Sequence, residues 1–127
     1  MIGSFDQNMM NNKFGLIELK SSYVSVKVKG TGNRCVFSKN EKWFKSEKFP
    51  DEIHINDIKQ KSVERIYYLN QEENNIKLIW NKAPSYAQCM LCECNDIIAV
   101  DFSNFDSSQV TIVAYMFYKT WSLISLF

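Results

Sequence analysis

The most regular hydrophobic pattern in the chain is an alternation, and it predicts strands. Ser22 to Lys29, read SYVSVKVK, sets Val24, Val26 and Val28 on one face and Ser25, Lys27 and Lys29 on the other, with Tyr23 leading in. Successive side chains of a strand point to opposite faces, so this is a half-buried antiparallel strand. Gly30 to Asn33 breaks it as a turn, and Cys35 to Ser38 is a short candidate partner. From Asp51, Ile53 and Ile55 alternate with Glu52, His54 and Asn56, and Asn56-Asp57 predicts a tight turn into Ile58-Lys59. Val63 to Leu69 and Ile76 to Trp80 predict two further strands, joined by a polar, acidic loop from Asn70 to Asn75. A brief strand signal also stands at Phe14 to Leu19, after a lead-in over residues 1–13 that is Asn- and Met-rich and has no period. Residues 14–83 read as a small antiparallel β head.

The last third is patterned differently. Slid along itself by 26 positions, the chain sets Met90-Leu91 on Met116-Phe117, Ile97-Ile98 on Leu123-Ile124 and Val100 on Leu126. A period in this range is what stacked units produce, because each buries its apolar face only against the next. Ile97, Val100, Phe102 and Phe105 occupy an L-x-x-L-x-L-x-x-N spacing, with Phe105 in the Asn position, and Leu123-x-x-Leu126 opens the next unit. Val100 and Phe102 share one face of a short strand, and Asp101 and Ser103 take the other. Asp106-Ser107-Ser108 has turn and N-cap chemistry, and Val110, Val113, Ala114 and Phe117 follow at helical spacing. The expectation for each unit is strand, turn, short helix.

The string DFSNFDSSQVT, followed by MFY and then SLISL, resembles the repeat of the BspA-like leucine-rich-repeat surface proteins. Asp101, Ser103 to Asp106, Ser108, Val110, Thr111, Met116, Phe117, Tyr118, Ser122, Leu123, Ser125 and Leu126 match its pattern. Met90, Cys94, Asp96 and Ile97 fit the preceding unit, with Leu91 in a Phe position. Glu93 and Lys119 depart from it by standing where the family has Gly, Thr120 stands where it has Cys, and Trp121 is bulky where Ser or Asn is common. Residues 23–81, through PDEIHINDIKQ and NNIKLIWN, more distantly resemble the head that precedes such repeats. The resemblance implies a mainly β chain: a small antiparallel head capping the first one to two coils of a leucine-rich-repeat solenoid over residues 84–127. It implies a cell-surface or secreted protein used for adhesion or recognition, without catalysis. Ile97, Val100, Phe102, Phe105, Met116, Phe117, Leu123 and Leu126 are the expected repeat core. Ala99, Asp101 and Ser103 are the expected contact residues for a protein or cell-surface ligand.

Composition narrows the remaining classes. A chain of 127 residues, 46% hydrophobic and 23% charged, buries one modest core. With 15 basic and 14 acidic side chains the net charge is +1, so no pull on nucleic acid is expected. The N-terminus lacks a basic flank and apolar run of the secretory type, and the second unit breaks off at Phe127, so a piece of a longer array is expected. Lys39 to Lys48 interleaves lysines with Trp43 and Phe44; Glu41 and Glu47 dilute it, and the expectation is a solvated loop with an aromatic or two folded back on the sheet.

Catalysis is not expected. There is no G-x-S-x-G elbow, no H-E-x-x-H, no phosphate-cradling loop and only 4 glycines, and adjacent acidic pairs such as Glu72-Glu73 diverge on a strand. His54, the one histidine, falls on the exposed side of its strand and is expected to be a surface residue. Cys89, Cys92 and Cys94, with Cys35 as a distant fourth, offer thiolates to zinc, but at no standard spacing. Free thiols, with no metal and no cofactor, are the expectation. The alternative to a recognition module is a membrane anchor formed by the mostly apolar residues 110–127. Lys119 at its middle opposes insertion by about 2.5–3.5 kcal/mol.

Overall fold

The structure is a computed structural model that describes residues 22–127. The lead-in over 1–13 and the strand expected at Phe14 to Leu19 lie outside the described residues. Among the described residues eight strands form: β1 Ser22–Lys29, β2 Gly32–Cys35, β3 Glu52–Ile55, β4 Ile58–Lys59, β5 Ile66–Leu69, β6 Glu73–Trp80, β7 Ile97–Asp101 and β8 Ser125–Leu126. Six of them make one sheet in the order β4-β3-β6-β1-β7-β8, and β2 and β5 pair as a separate two-stranded sheet.

β1 lies inside the large sheet, with β6 on one edge and β7 on the other. It runs antiparallel to β6 along its whole length, from Ser22 opposite Trp80 to Lys29 opposite Glu73. On its other side it pairs with β7, with a bulge that passes over Ile98. The β3–β4 hairpin turns through Asn56 and Asp57, at φ 49° and 71°, the two positive angles that a tight hairpin of this twist requires. β2 leaves the main sheet at Gly30 and Gly32, at φ 98° and 96°. It ends at Cys35, before most of the strand expected over Cys35 to Ser38, and pairs with β5.

The inner face of the large sheet carries Val24, Val26, Val28, Ile53, Ile76, Leu78, Trp80, Ile97 and Val100. It packs in one cluster with Val36, Phe37, Phe44, Leu69, Ala87, Met90 and Leu91 from the smaller sheet and the loops, giving a small β-sandwich-like domain. The Phe37, Phe44 and Phe49 rings lie 4.8–6.1 Å apart, and the Arg65 guanidinium sits 4.7 Å from the Phe49 ring. Partial burial lowers the Arg65 pKa below its ordinary value, an effect that Glu41 opposes.

The leucine-rich-repeat solenoid expected for residues 84–127 does not form. Among the described residues the only helix is a three-residue 3-10 turn at Ser46–Lys48, and no coil closes on itself. Two physical causes defeat the helix expected from Val110 to Phe117. Val110, Thr111, Ile112 and Val113 are four β-branched residues in a row, which lose side-chain freedom in a helix. The carbonyls of Ile112, Ala114, Met116 and Tyr118 are also taken, at 2.7–3.1 Å, by the N–H groups of Ala87, Cys89, Leu91 and Glu93. β7, expected to begin a parallel array, instead lies antiparallel to β1 and meets only the two-residue β8 in parallel register.

Of the expected repeat core, Ile97 and Val100 are fully buried, and Phe102, Phe105, Met116, Phe117 and Leu123 are half-buried against the core. Leu126 is 54% exposed, because β8 is the outermost strand and nothing among the described residues lies on it. Among the described residues no helix is long and apolar enough to cross a membrane.

The cysteines also differ from expectation, for they pair. Cys35 is joined to Cys94, with Cα atoms 5.2 Å apart, and Cys89 to Cys92, at 4.8 Å. The free-thiol reading fails because Cys35 ends β2 directly beside Cys94, a proximity that spacing along the chain does not show.

Candidate functional site: the outer face of the sheet

Alternation places the polar residues of each strand on one side, and strand order brings four such sets together. One row across the sheet runs His54, Lys77, Ser25 and Asp101, from β3 through β6 and β1 to β7, each directly opposite the next. A second runs Asn75, Lys27, Ala99 and Ser125. All of these residues but Ser125 line a shallow concavity of about 400 Å³, which Phe127 also lines. Phe127 is held there by its backbone, donating to the Val100 carbonyl at 2.9 Å and accepting from the Phe102 N–H at 2.8 Å.

Charges of both signs stand on this face, and most are engaged locally. His54 Nε2 is 3.1 Å from Glu52 Oε1, and Lys59 Nζ is 3.8 Å from Glu52 Oε2. Lys27 pairs with Glu73 at 3.4 Å, and Lys77 Nζ lies 4.6 Å above the Tyr23 ring. Exposed pairs like these add about 0–1 kcal/mol each to stability, so their main effect is to orient side chains. The Asp101 carboxylate accepts from both the hydroxyl and the N–H of Ser103, which holds its pKa below the usual carboxylate value. The result is a fixed pattern of charge over an open surface.

Two of the three expected contact residues, Ala99 and Asp101, line this concavity. The third, Ser103, lies in the following turn and positions Asp101. His54, expected on the surface, sits at the rim with its ring engaged by Glu52. Ser25, Lys27, Asn75, Lys77 and Phe127 share no motif that would assign them to a common site. Alternation marked Ser25 and Lys27 as outward, but only strand order sets them beside Lys77 and Asp101. Among the described residues no three His, Cys, Asp or Glu side chains converge to hold a metal ion. Compared with protein-family models, curated proteins and solved structures, the chain matches none.

Proposed function

We propose that the protein is a non-enzymatic recognition or adhesion module of the cell-surface or secreted type, engaging a protein partner through the outer face of its six-stranded sheet. The observation that supports this reading is the two-row arrangement of Ser25, Lys27, His54, Lys77, Ala99 and Asp101 on a rigid sheet, which presents preorganised charge over a wide, open surface. Such patterns steer and orient protein partners. Paired cysteines suit an oxidising, extracellular environment. The resemblance of residues 90–127 to surface-protein repeats agrees with that location.

Beads coated with the full chain should adhere to a cell monolayer above uncoated beads. Reversing charge on the face, with Lys77→Glu and Asp101→Lys together, should reduce adhesion severalfold without unfolding the chain, since both side chains are outside the core. Equal adhesion by the parent and the double variant would remove the sheet face from the account.

A further inference from the structure

On a different side of the molecule, a cleft of about 320 Å³ is lined by Asn40, Trp43, Cys89, Tyr115 and Tyr118. One wall is the loop that carries Trp43. Asn40 caps this loop, its Oδ1 accepting from the N–H groups of Lys42 and Trp43 at 3.0 and 2.8 Å and its carbonyl from Phe44 at 3.0 Å. Arg65 donates to the carbonyls of Ser38 and Phe44, and the Tyr86 hydroxyl donates to that of Trp43 at 2.9 Å. Phe44 anchors the loop in the core, fully buried, while the neighbouring Trp43 remains 42% exposed.

The other wall is equally fixed. The carbonyls on either side of Tyr115, those of Ala114 and Met116, accept from Cys89 and Leu91. Tyr115 takes φ 57°, the left-handed conformation that Cys89 takes one period earlier, so the local turn fixes where its side chain leaves the backbone. Its ring and that of Tyr118 stand 5.8 Å apart at 83°, forming a corner, with the two residues 64% and 47% exposed. Three exposed aromatic rings on preorganised walls are the composition of a recognition site, where they supply contact area at little entropic cost.

The chemistry of the walls selects the ligand. Lys42 Nζ lies 5.6 Å from the Trp43 ring and Lys119 Nζ 5.3 Å from that of Tyr118, so these rings already carry cations and a cationic ligand gains little there. Glu93, which accepts from the Asn40 amide at 3.4 Å, offsets part of this positive charge, so the cleft carries little net charge to select an anion. The polar groups that the lining side chains can offer are few: the Asn40 amide, already engaged by Glu93 and by the Lys42 and Trp43 N–H groups, one indole N–H and two phenol hydroxyls. A sugar would bring more hydroxyls than these can satisfy, and unpaired polar groups are costly. A proline ring is neutral and apolar, lacks the N–H, and leaves only carbonyls for those donors. A polyproline II segment also arrives with its conformation largely set, which is why aromatic-lined grooves accept it.

We propose that the cleft between Trp43 and the Tyr115–Tyr118 corner binds a proline-rich segment of a polypeptide partner. The site is separate from the sheet face and stands whether or not that face binds a partner.

Titration of the full chain with a neutral oligoproline peptide, acetylated and amidated, followed by amide and side-chain NMR shifts, tests it. Saturable shifts are expected at the Trp43 indole, the Asn40 amide and the backbone of Tyr115 to Tyr118, with a Kd on the order of 0.1–1 mM. Trp43→Ala and Tyr118→Ala should each weaken binding about tenfold or more, and the same spectra report whether the fold is kept. Trp43→Phe, which retains a ring, should bind within a few-fold of the parent, and Trp121→Ala, at an exposed tryptophan that does not line the cleft, should bind as the parent does. Silence with oligoproline, equal shifts with a Gly-Ser peptide of the same length, or binding that survives Trp43→Ala would each overturn the proposal. A response to chitotriose in place of oligoproline would do so as well, and would make the cleft a sugar site.

Discussion

Residues 85–97 and 111–123 follow the same backbone path one period apart, yet one lies in the middle of the protein and the other at its edge. Cys89 and Glu93 take φ 60° and 65°; Tyr115 and Lys119, 26 residues on, take 57° and 60°. Met90, Cys92, Cys94 and Ile97 donate to Ala87, Cys89, Leu91 and Cys94, and their counterparts Met116, Tyr118, Thr120 and Leu123 donate to Val113, Tyr115, Phe117 and Thr120. Burial does not follow the same repeat. Ala87, Cys89, Met90, Leu91, Cys92 and Cys94 are all buried, whereas Val113, Tyr115 and Tyr118 are largely exposed and Met116 and Phe117 are half-buried.

The difference lies in the neighbours. The first segment has the Ser38 and Lys39 N–H groups on one side, bonded to the Met90 and Cys92 carbonyls at 2.9 and 3.0 Å, and the second segment on the other. The second segment has only the first, since among the described residues Val113, Tyr115, Phe117 and Lys119 donate to no backbone carbonyl. Local turn bonds therefore set the path of the chain, and a neighbour on each side sets whether the path becomes core.

The comparison is sharpest at the cysteines, which only the first segment has. Replacing Cys35 and Cys94 together by Ser opens a bridge spanning 59 residues, for which the chain-entropy relation gives a loss of about 4 kcal/mol. Replacing Cys89 and Cys92 opens a bridge spanning 3 residues and should cost only about 2 kcal/mol. Urea unfolding of the two double variants measures both; similar midpoints would mean that loop length does not govern stability here.

The paired methionines come next. Met90→Ala removes a fully buried side chain and should cost about 2–5 kcal/mol, while Met116→Ala, at the half-buried equivalent, should cost about 1 kcal/mol. Equal losses would show that the second segment is as well packed as the first, and the contrast drawn above would fail.

Smallest is the effect of relieving a left-handed residue. Lys119→Gly should stabilise by about 0.5 kcal/mol, the gain in backbone strain being partly offset by the extra freedom of glycine in the unfolded chain. A destabilised variant would mean that the Lys119 contact with Tyr118 outweighs the backbone cost.

How much of this was legible in the residues themselves varies along the chain. The alternation from Ser22 to Lys29 marked the bounds of β1 and its faces, and Asn56-Asp57 marked the β3–β4 turn. Both signals are local: one depends on side-chain period, the other on residues that tolerate positive φ. The 26-residue offset was also legible, and Val100 does lie beside Leu126. The helix that the spacing of Val110, Val113, Ala114 and Phe117 predicts does not form, because the β-branched run from Val110 to Val113 disfavours it and a neighbouring segment claims the carbonyls it would use. Within the candidate site, Ala99 and Asp101 could be picked as outward residues of one strand, but not Lys77 or His54 as their companions.

Period, the Asn56-Asp57 turn and the two faces of β1 were determined by the sequence alone, because they depend on groups within a few positions of one another. Tertiary structure alone decided that β7 joins β1 across some 70 intervening positions, that Cys35 meets Cys94, and that one of two like segments is buried. Each of those outcomes depends on which surfaces remain available once the sheet has assembled, and that is a property of the whole chain.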